Sequence, residues 1–351
     1  MARPRLRALS GVPRAVILVY HMVADELVDP YGTVVSPDRF ADQMDVIASA
    51  FRPVGLVDLV SGLRDGQCPP GAVTVTFDDG YANNLETALP ILDRYAVPST
   101  VFVATDYTDG PREFWWDELV RLIVGDDASV VRRPALTVSL GQSVLRCPPA
   151  SGMQVLARTR RWLYRRDPRE ISGALEQIRV WAGESPVPTQ RAEYRPMTRE
   201  ELAKITASGL VQLGAHTRSH PLLAARSLRE QADEINGSIN DLKDWLGETP
   251  TTFAYPFGAP RSDYSRETVK LVEATAIRCA LSTRAVPVTA ASHPYELPRF
   301  FVSNHPVDVF ERWLTNCFVL RRAPALRRMA GRLSRPVRQW GQTIRSSRAD
   351  P

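Results

Sequence analysis

The sequence predicts an α/β fold of parallel β/α units, curled into a small or incomplete barrel, and three observations predict it. Seven short apolar runs recur along the chain with helical patterns between them. Runs such as Val16–Tyr20 (VILVY) are apolar throughout, the mark of strands buried on both faces of a parallel sheet. The 351 residues, 44% hydrophobic and 24% charged, have ordinary globular composition and enough chain for a large core, which excludes collagen, coiled coil and wholesale disorder.

The strands are expected near Val16–Tyr20, Val73–Phe77, Ser99–Val103, Val211–Gly214, Thr252–Tyr255, Ile277–Leu281 and Leu297–Phe301. Helices are expected at Pro37–Ser49, Leu85–Tyr95, Thr198–Ser208, Leu228–Leu246 and Ser262–Glu273. Two of them open on a capping box, Thr198 with Glu201 and Ser227 with Glu230, in which hydroxyl and carboxylate satisfy each other's orphan N–H groups. Residues Gly110–Pro196 break the rhythm and read as a rim insertion. It holds a hairpin (Leu136–Leu140 with Val144–Cys147) and helical stretches at Met153–Tyr164 and Arg169–Trp181. Insertions of this kind often shape a binding site. The division is then a basic arm at 1–14, a barrel at 15–320 and a tail at 321–351.

Charge is unevenly placed. The tail carries nine arginines and one acid, a net +8 within a total of +5, so the rest of the chain carries −3. A nucleic-acid binder should be basic on its folded body, so no nucleic-acid partner is expected. In the tail, Leu326, Leu333 and Trp340 recur among the arginines at helical spacing, although Pro324 and Pro336 interrupt it. This reads either as peripheral contact with a membrane surface or as a helix packed on the barrel. The apolar run Ala15–Tyr20 is too short for a signal-peptide core, and no stretch approaches a membrane span, so a cytoplasmic location is expected, with the tail on the inner membrane face. The four cysteines have no CxxC spacing, so neither a disulfide framework nor a thiolate zinc site is indicated.

Two segments carry chemistry. In VTVTFDDGYANN (Val73–Asn84) an apolar strand runs into Asp78 and Asp79, where parallel barrels place catalytic groups. Adjacent residues leave a strand on opposite sides, so one carboxylate can meet a cation while the other stays free beside it. The other reading is a plain Asp-Asp-Gly turn before a helix. In GAHTRSHP (Gly214–Pro221) His216 and His220 stand four apart, on one side of a helical turn, a spacing that suits a divalent transition metal.

TFDDG, then HTRSH, then FAYPFG at Phe253–Gly258 resemble the polysaccharide deacetylase family, carbohydrate esterase family four, over about Ala15–Val302 apart from the insertion. The resemblance implies a distorted (β/α)7 barrel with Asp79, His216 and His220 as ligands of a divalent metal, zinc above others. It also implies Asp78 as general base and the Phe257 backbone N–H as oxyanion donor. Such an ion leaves positions for water and an amide oxygen, and a general base adds about 10²–10⁴-fold. The implied reaction is hydrolysis of an N-acetyl group on an amino sugar in a polysaccharide, glycolipid or other glycoconjugate. A related amidohydrolase acting on a non-sugar amide or ureide, and an inactive carbohydrate-binding homologue, are the alternatives.

The sequence departs from the commonest family pattern twice. An Arg usually stands two residues before the Pro of the third motif, where this chain has Ala254; Arg299 in ELPRF is the expected substitute partner of Asp78. The late motifs that usually supply the acid are not evident after Pro260. LVYHMV instead puts His21 at the end of the first strand, resembling circularly permuted members, and makes it the expected general acid, ahead of His293 and His305. Trp115 and Trp116 read as local core before they read as a sugar platform, and Tyr81 and Asn84 either line the site or start a helix.

Overall fold

The computed structural model describes residues 14–25, 28–125 and 132–319. The arm up to residue 13 and the arginine-rich tail, with its membrane reading, lie outside the described residues. The expected strands form β1 (Val16–Tyr20), β2 (Ala72–Phe77), β3 (Ser99–Val103), β4 (Val211–Ala215), β5 (Thr252–Ala254), β6 (Cys279–Leu281) and β7 (Phe300–Phe301). They pair in parallel in the order β6-β5-β4-β3-β2-β1-β7. The ends approach through a parallel bridge between Leu281 and Leu297, three residues ahead of β7. There the Leu297 N–H donates to the Ala280 carbonyl and the Ser282 N–H to that of Leu297, each at 2.8 Å. This is the curled sheet of a distorted (β/α)7 barrel, open-jointed where the last strands are shortest.

Every residue of β1, β2 and β3 is buried, because side chains on one face fill the barrel and those on the other meet helices. The helices are α1 (Pro37–Ala50), α2 (Leu56–Arg64), α3 (Leu89–Tyr95), α4 (Trp115–Ile123), α5 (Gly152–Leu163), α6 (Pro168–Ala182), α7 (Arg199–Ala207), α8 (Leu228–Leu246), α9 (Arg266–Glu273) and α10 (Val307–Val319). Both expected capping boxes form: the Glu201 and Glu230 N–H groups donate to Thr198 Oγ1 and Ser227 Oγ. The two carboxylates accept the N–H groups of Thr198 and Ser227 in return. Helices α2 and α10 were not among the sequence expectations.

The insertion has a core of its own. Helices α4, α5 and α6 and the antiparallel hairpin Leu136–Leu140 with Ser143–Cys147 gather Phe114, Trp115, Leu119, Leu156 and Ile178. Trp115 and Trp116 are 5% and 9% exposed, so they are core side chains and offer no flat face to a sugar.

Gly214 in β4 fits where no other residue does. A Cβ there would stand 2.4 Å from the Phe102 ring and 2.6 Å from Thr252 Oγ1. Gly214→Ala is therefore expected to destabilise by about 1–3 kcal/mol through overpacking. A thermal midpoint equal to that of the parent protein would show that the strand relaxes freely.

Candidate active site

The site sits at the C-terminal ends of the strands. Strand β2 stops at Phe77, and the Asp78 N–H is fixed by the Tyr20 carbonyl of β1 at 3.0 Å. The backbone then turns left-handed, with φ of 75° at Asp79 and 87° at Gly80. That reversal sends the two carboxylates to different partners.

Asp78 is gripped by Arg299, which precedes β7. The guanidinium donates through Nη1 to Oδ1 at 2.6 Å and through Nη2 to Oδ2 at 2.8 Å. Nη1 also reaches Thr76 Oγ1 at 3.2 Å, Nε reaches the Ser282 carbonyl at 3.4 Å, and Arg299 is fully buried. Burial alone would raise the Asp78 pKa, but the charges of Arg299 and His216 and the guanidinium hydrogen bonds outweigh it and bring it down to about 2. Asp78 is thus an ionised, oriented carboxylate at any ordinary pH.

Asp79 faces His216 and His220, with Oδ1 3.6 Å from His216 Nε2 and 3.5 Å from His220 Nε2. The expected helical turn between the histidines is absent. Residues 216–220 form a loop, and left-handed φ values of 63° at Thr217 and 54° at His220 bring the rings to 4.8 Å from each other. Helix α8 clamps this loop: Glu234 accepts the N–H groups of Arg218 and Ser219 at 2.9 Å, and Asp241 accepts two bonds from the Arg218 guanidinium. His216 Nδ1–H donates to the Ala254 carbonyl at 2.7 Å, which leaves Nε2 as the free lone pair.

The donor set fits a divalent cation. One ligand atom from each of Asp79, His216 and His220 lies within 4.8 Å of the others, and all three residues are buried. Burial lowers the pKa of both histidines and so keeps the imidazoles neutral. Burial, followed by the charges of Asp78 and Asp117, raises that of Asp79 well above the usual carboxylate range. Asp79 Oδ1 and His220 Nδ1 are buried without hydrogen-bond partners. An orphaned carboxylate oxygen between two neutral imidazoles is costly unless a cation meets it.

His21 directly follows β1, whose pairing of Val19 with Phe301 in β7 brings the first and last strands together. The Asn84 side chain donates to the His21 carbonyl at 2.8 Å, and the His21 Nδ1 is buried without a partner. Burial, with help from Arg299 and His216 and against Asp78, lowers the His21 pKa to about 4, so the ring is neutral near neutrality. Asn84 thus braces the backbone at His21, and it also opens the π-helical turn Asn84–Ala88 that leads into α3. His293 lies half exposed against Glu273, and His305 stands beside Trp313; neither joins the cluster.

Phe257 has φ of 60°, and its N–H donates to no group among the described residues. Its ring packs on His220 at 4.7 Å and on Tyr164, just past α5, at 4.5 Å. Trp116 packs on His220 from another side at 4.7 Å and donates to Tyr81 Oη, which in turn donates to Asp117. Neither this wall nor the Glu234 clamp is among the expectations from sequence. No local pattern announces either, because both join residues far apart in the chain.

The polysaccharide deacetylase family profile matches residues 65–132 and 178–280, on either side of most of the insertion. No curated protein matches the chain. Among solved structures, Streptococcus pyogenes deacetylase PplD in complex with acetate is 16% identical, with a TM-score of 0.57 over 88% of this chain and 99% of that one. IcaB from Ammonifex degensii is 18% identical, with a TM-score of 0.56 over 87% and 97%. A de-N-acetylase from Aggregatibacter actinomycetemcomitans is 13% identical, with a TM-score of 0.54 over 85% and 99%. At these identities the structures speak for the shared barrel. With that barrel, the two profile segments and the DDG and HTRSH motifs at its mouth, the chain belongs to the polysaccharide deacetylase family.

Proposed function

We propose that this chain is a metal-dependent N-deacetylase, which hydrolyses the acetamide of an amino sugar in a polysaccharide or other glycoconjugate to acetate and a free amine. The observation that carries the reading is the pairing of Asp78 with Arg299 directly beside the Asp79, His216 and His220 cluster. A binding module needs no oriented carboxylate next to a cation site, and this sets the catalytic reading above that of an inactive homologue. Asp79, His216 and His220 would hold the ion; one carboxylate and two neutral imidazoles suit zinc. When bound, such an ion polarises a carbonyl and makes water acidic enough to lose a proton near neutral pH.

The remaining chemistry falls to this chain's own groups. Asp78, fixed by Arg299, takes the proton of the attacking water on a carboxylate oxygen. The Phe257 N–H is the donor for the carbonyl oxygen as it gains charge, and its lack of an internal partner supports that assignment. His21 rests neutral; the proton that Asp78 takes from the water passes by way of the His21 imidazole to the departing nitrogen, which leaves both groups in their resting state. The sum is one amide and one water consumed, one acetate and one ammonium formed.

His21→Ala is expected to lower kcat by about 10²–10⁴-fold while the bound metal stays at the parent level. An unaltered kcat would remove His21 from the mechanism. The reaction itself is tested by incubating the metal-loaded protein with N-acetylglucosamine oligomers and measuring acetate and new amine, which should appear one for one. Peripheral membrane contact through the tail and a cytoplasmic location are part of the same proposal. They rest on composition alone, and flotation of the full chain and of a chain ending near Leu320 with anionic vesicles tests the contact.

A further inference from the structure

The wall that the insertion adds to the site ends in arginines that form no direct ion pair among the described residues, Arg226 acting only at a distance on the exposed Glu230. Tyr164 packs on Phe257, which packs on His220, so the end of α5 lies two ring contacts from the candidate ligands. One turn earlier on the same helix face, the Arg160 guanidinium lies 4.8 Å over the Tyr31 ring. The Tyr31 hydroxyl in turn donates to the carbonyl of Trp116, whose ring packs on His220. Arg160 is thus tied to the site from two sides.

Arg226, in the segment that follows the histidine loop, donates through Nη2 to the Arg165 carbonyl at 2.9 Å and so joins the same wall. The Nε atoms of Arg160 and Arg226 are buried without hydrogen-bond partners. The nearby carboxylates are engaged elsewhere. Asp263 accepts from Tyr164, Ser262 and the Ala259 N–H, Glu230 from Ser227, and Asp29 from Thr33 and Val34. No ion pair involves Arg160, Arg165 or Arg226 among the described residues. Arg160 and Arg226 are partly buried with buried, unmatched Nε–H donors, and Arg165 between them in the same wall is exposed. Such guanidinium groups gain most from an anion, because charge-assisted bonds are roughly twice as strong as neutral ones.

We propose that Arg160, Arg165 and Arg226 form a subsite for an acidic group, a phosphate or a carboxylate, carried by the same glycoconjugate as the acetamide. The inference rests on the deacetylase reading and narrows its substrate to anionic amino-sugar conjugates. The arginines bind and place the substrate; they take no part in bond breaking.

The test compares three probes by calorimetry on the full chain: N-acetylglucosamine, N-acetylglucosamine 1-phosphate, and the disaccharide of glucuronic acid and N-acetylglucosamine. At least one acidic probe should bind about tenfold or more tighter than the neutral sugar, and which one does so tells phosphate from carboxylate. The preference should shrink as salt is raised and collapse towards unity in the triple variant Arg160→Gln, Arg165→Gln, Arg226→Gln. Equal affinity for all three probes in the parent protein overturns the subsite and needs no variant to fold. A preference that survives the triple variant also overturns it, since the nine arginines of the tail remain in place. Acetate release from the same probes is a separate reading: none from any probe overturns the deacetylase assignment, whatever the binding preference.

Discussion

Arg299→Met is expected to destabilise the protein by about 3–5 kcal/mol. The substitution leaves the Asp78 carboxylate buried with no countercharge, the expensive way to break a buried ion pair. The pH dependence has a definite sign. With its pKa at about 2 in the fold, below the unfolded value near 3.9, Asp78 adds stability that is complete above about pH 4 and is lost as the pH falls through 2. In Arg299→Met the carboxyl has no such partner, so the variant should approach the parent in stability as the medium becomes acidic. Denaturant titrations at pH 7 and pH 3 measure this. A parallel offset at both values would mean that the cost comes from packing and not from the ion pair.

Asp78→Asn should lower kcat by about 10²–10⁴-fold in the folded protein with little change in bound metal, because the amide keeps the shape and loses the proton acceptor. It also leaves the buried Arg299 charge unmatched and so should cost about 3–5 kcal/mol of stability. A carboxylate held near 2 is a weak base, and its value lies in being ionised and aimed. Steady-state kinetics with metal analysis of the same preparation checks the point. A variant that loses its metal with its activity would make Asp78 part of the cation site.

Much of this was legible because the informative patterns are local. An apolar strand running into Asp78 and Asp79 marks a strand end whatever surrounds it, and Thr198 with Glu201 specifies a helix start within one turn. Arg299 was reachable by the same logic, as a charge at another strand end in a ring that brings last and first strands together. Helix α2 carries a signal that the expected helices do not include: Leu56, Leu59, Val60 and Leu63 follow the 3.6-residue period and are all buried. Helix α10 shows the same signal in Phe310, Trp313, Leu314, Cys317 and Phe318. The histidine loop departs from the expected helical turn for a different reason. A four-residue spacing implies a helix only if φ stays negative, and the left-handed values at Thr217 and His220 are imposed by tertiary contacts, Glu234 on α8 among them. The bonds from Asn84 to His21, Tyr81 to Asp117 and Arg299 to Asp78 span 63, 36 and 221 residues, distances at which only the folded chain supplies the partner.

The central claim is that Asp79, His216 and His220 form one cation site that serves hydrolysis. The most direct measurement is titration of metal-free protein with zinc, read by calorimetry and by acetate release in the same samples. The parent protein should bind one ion per chain at this site, with activity rising in step with occupancy. Asp79→Ala and His216→Ala should each lose both. Full occupancy and undiminished acetate release in the Asp79→Ala, His216→Ala double variant would contradict the account.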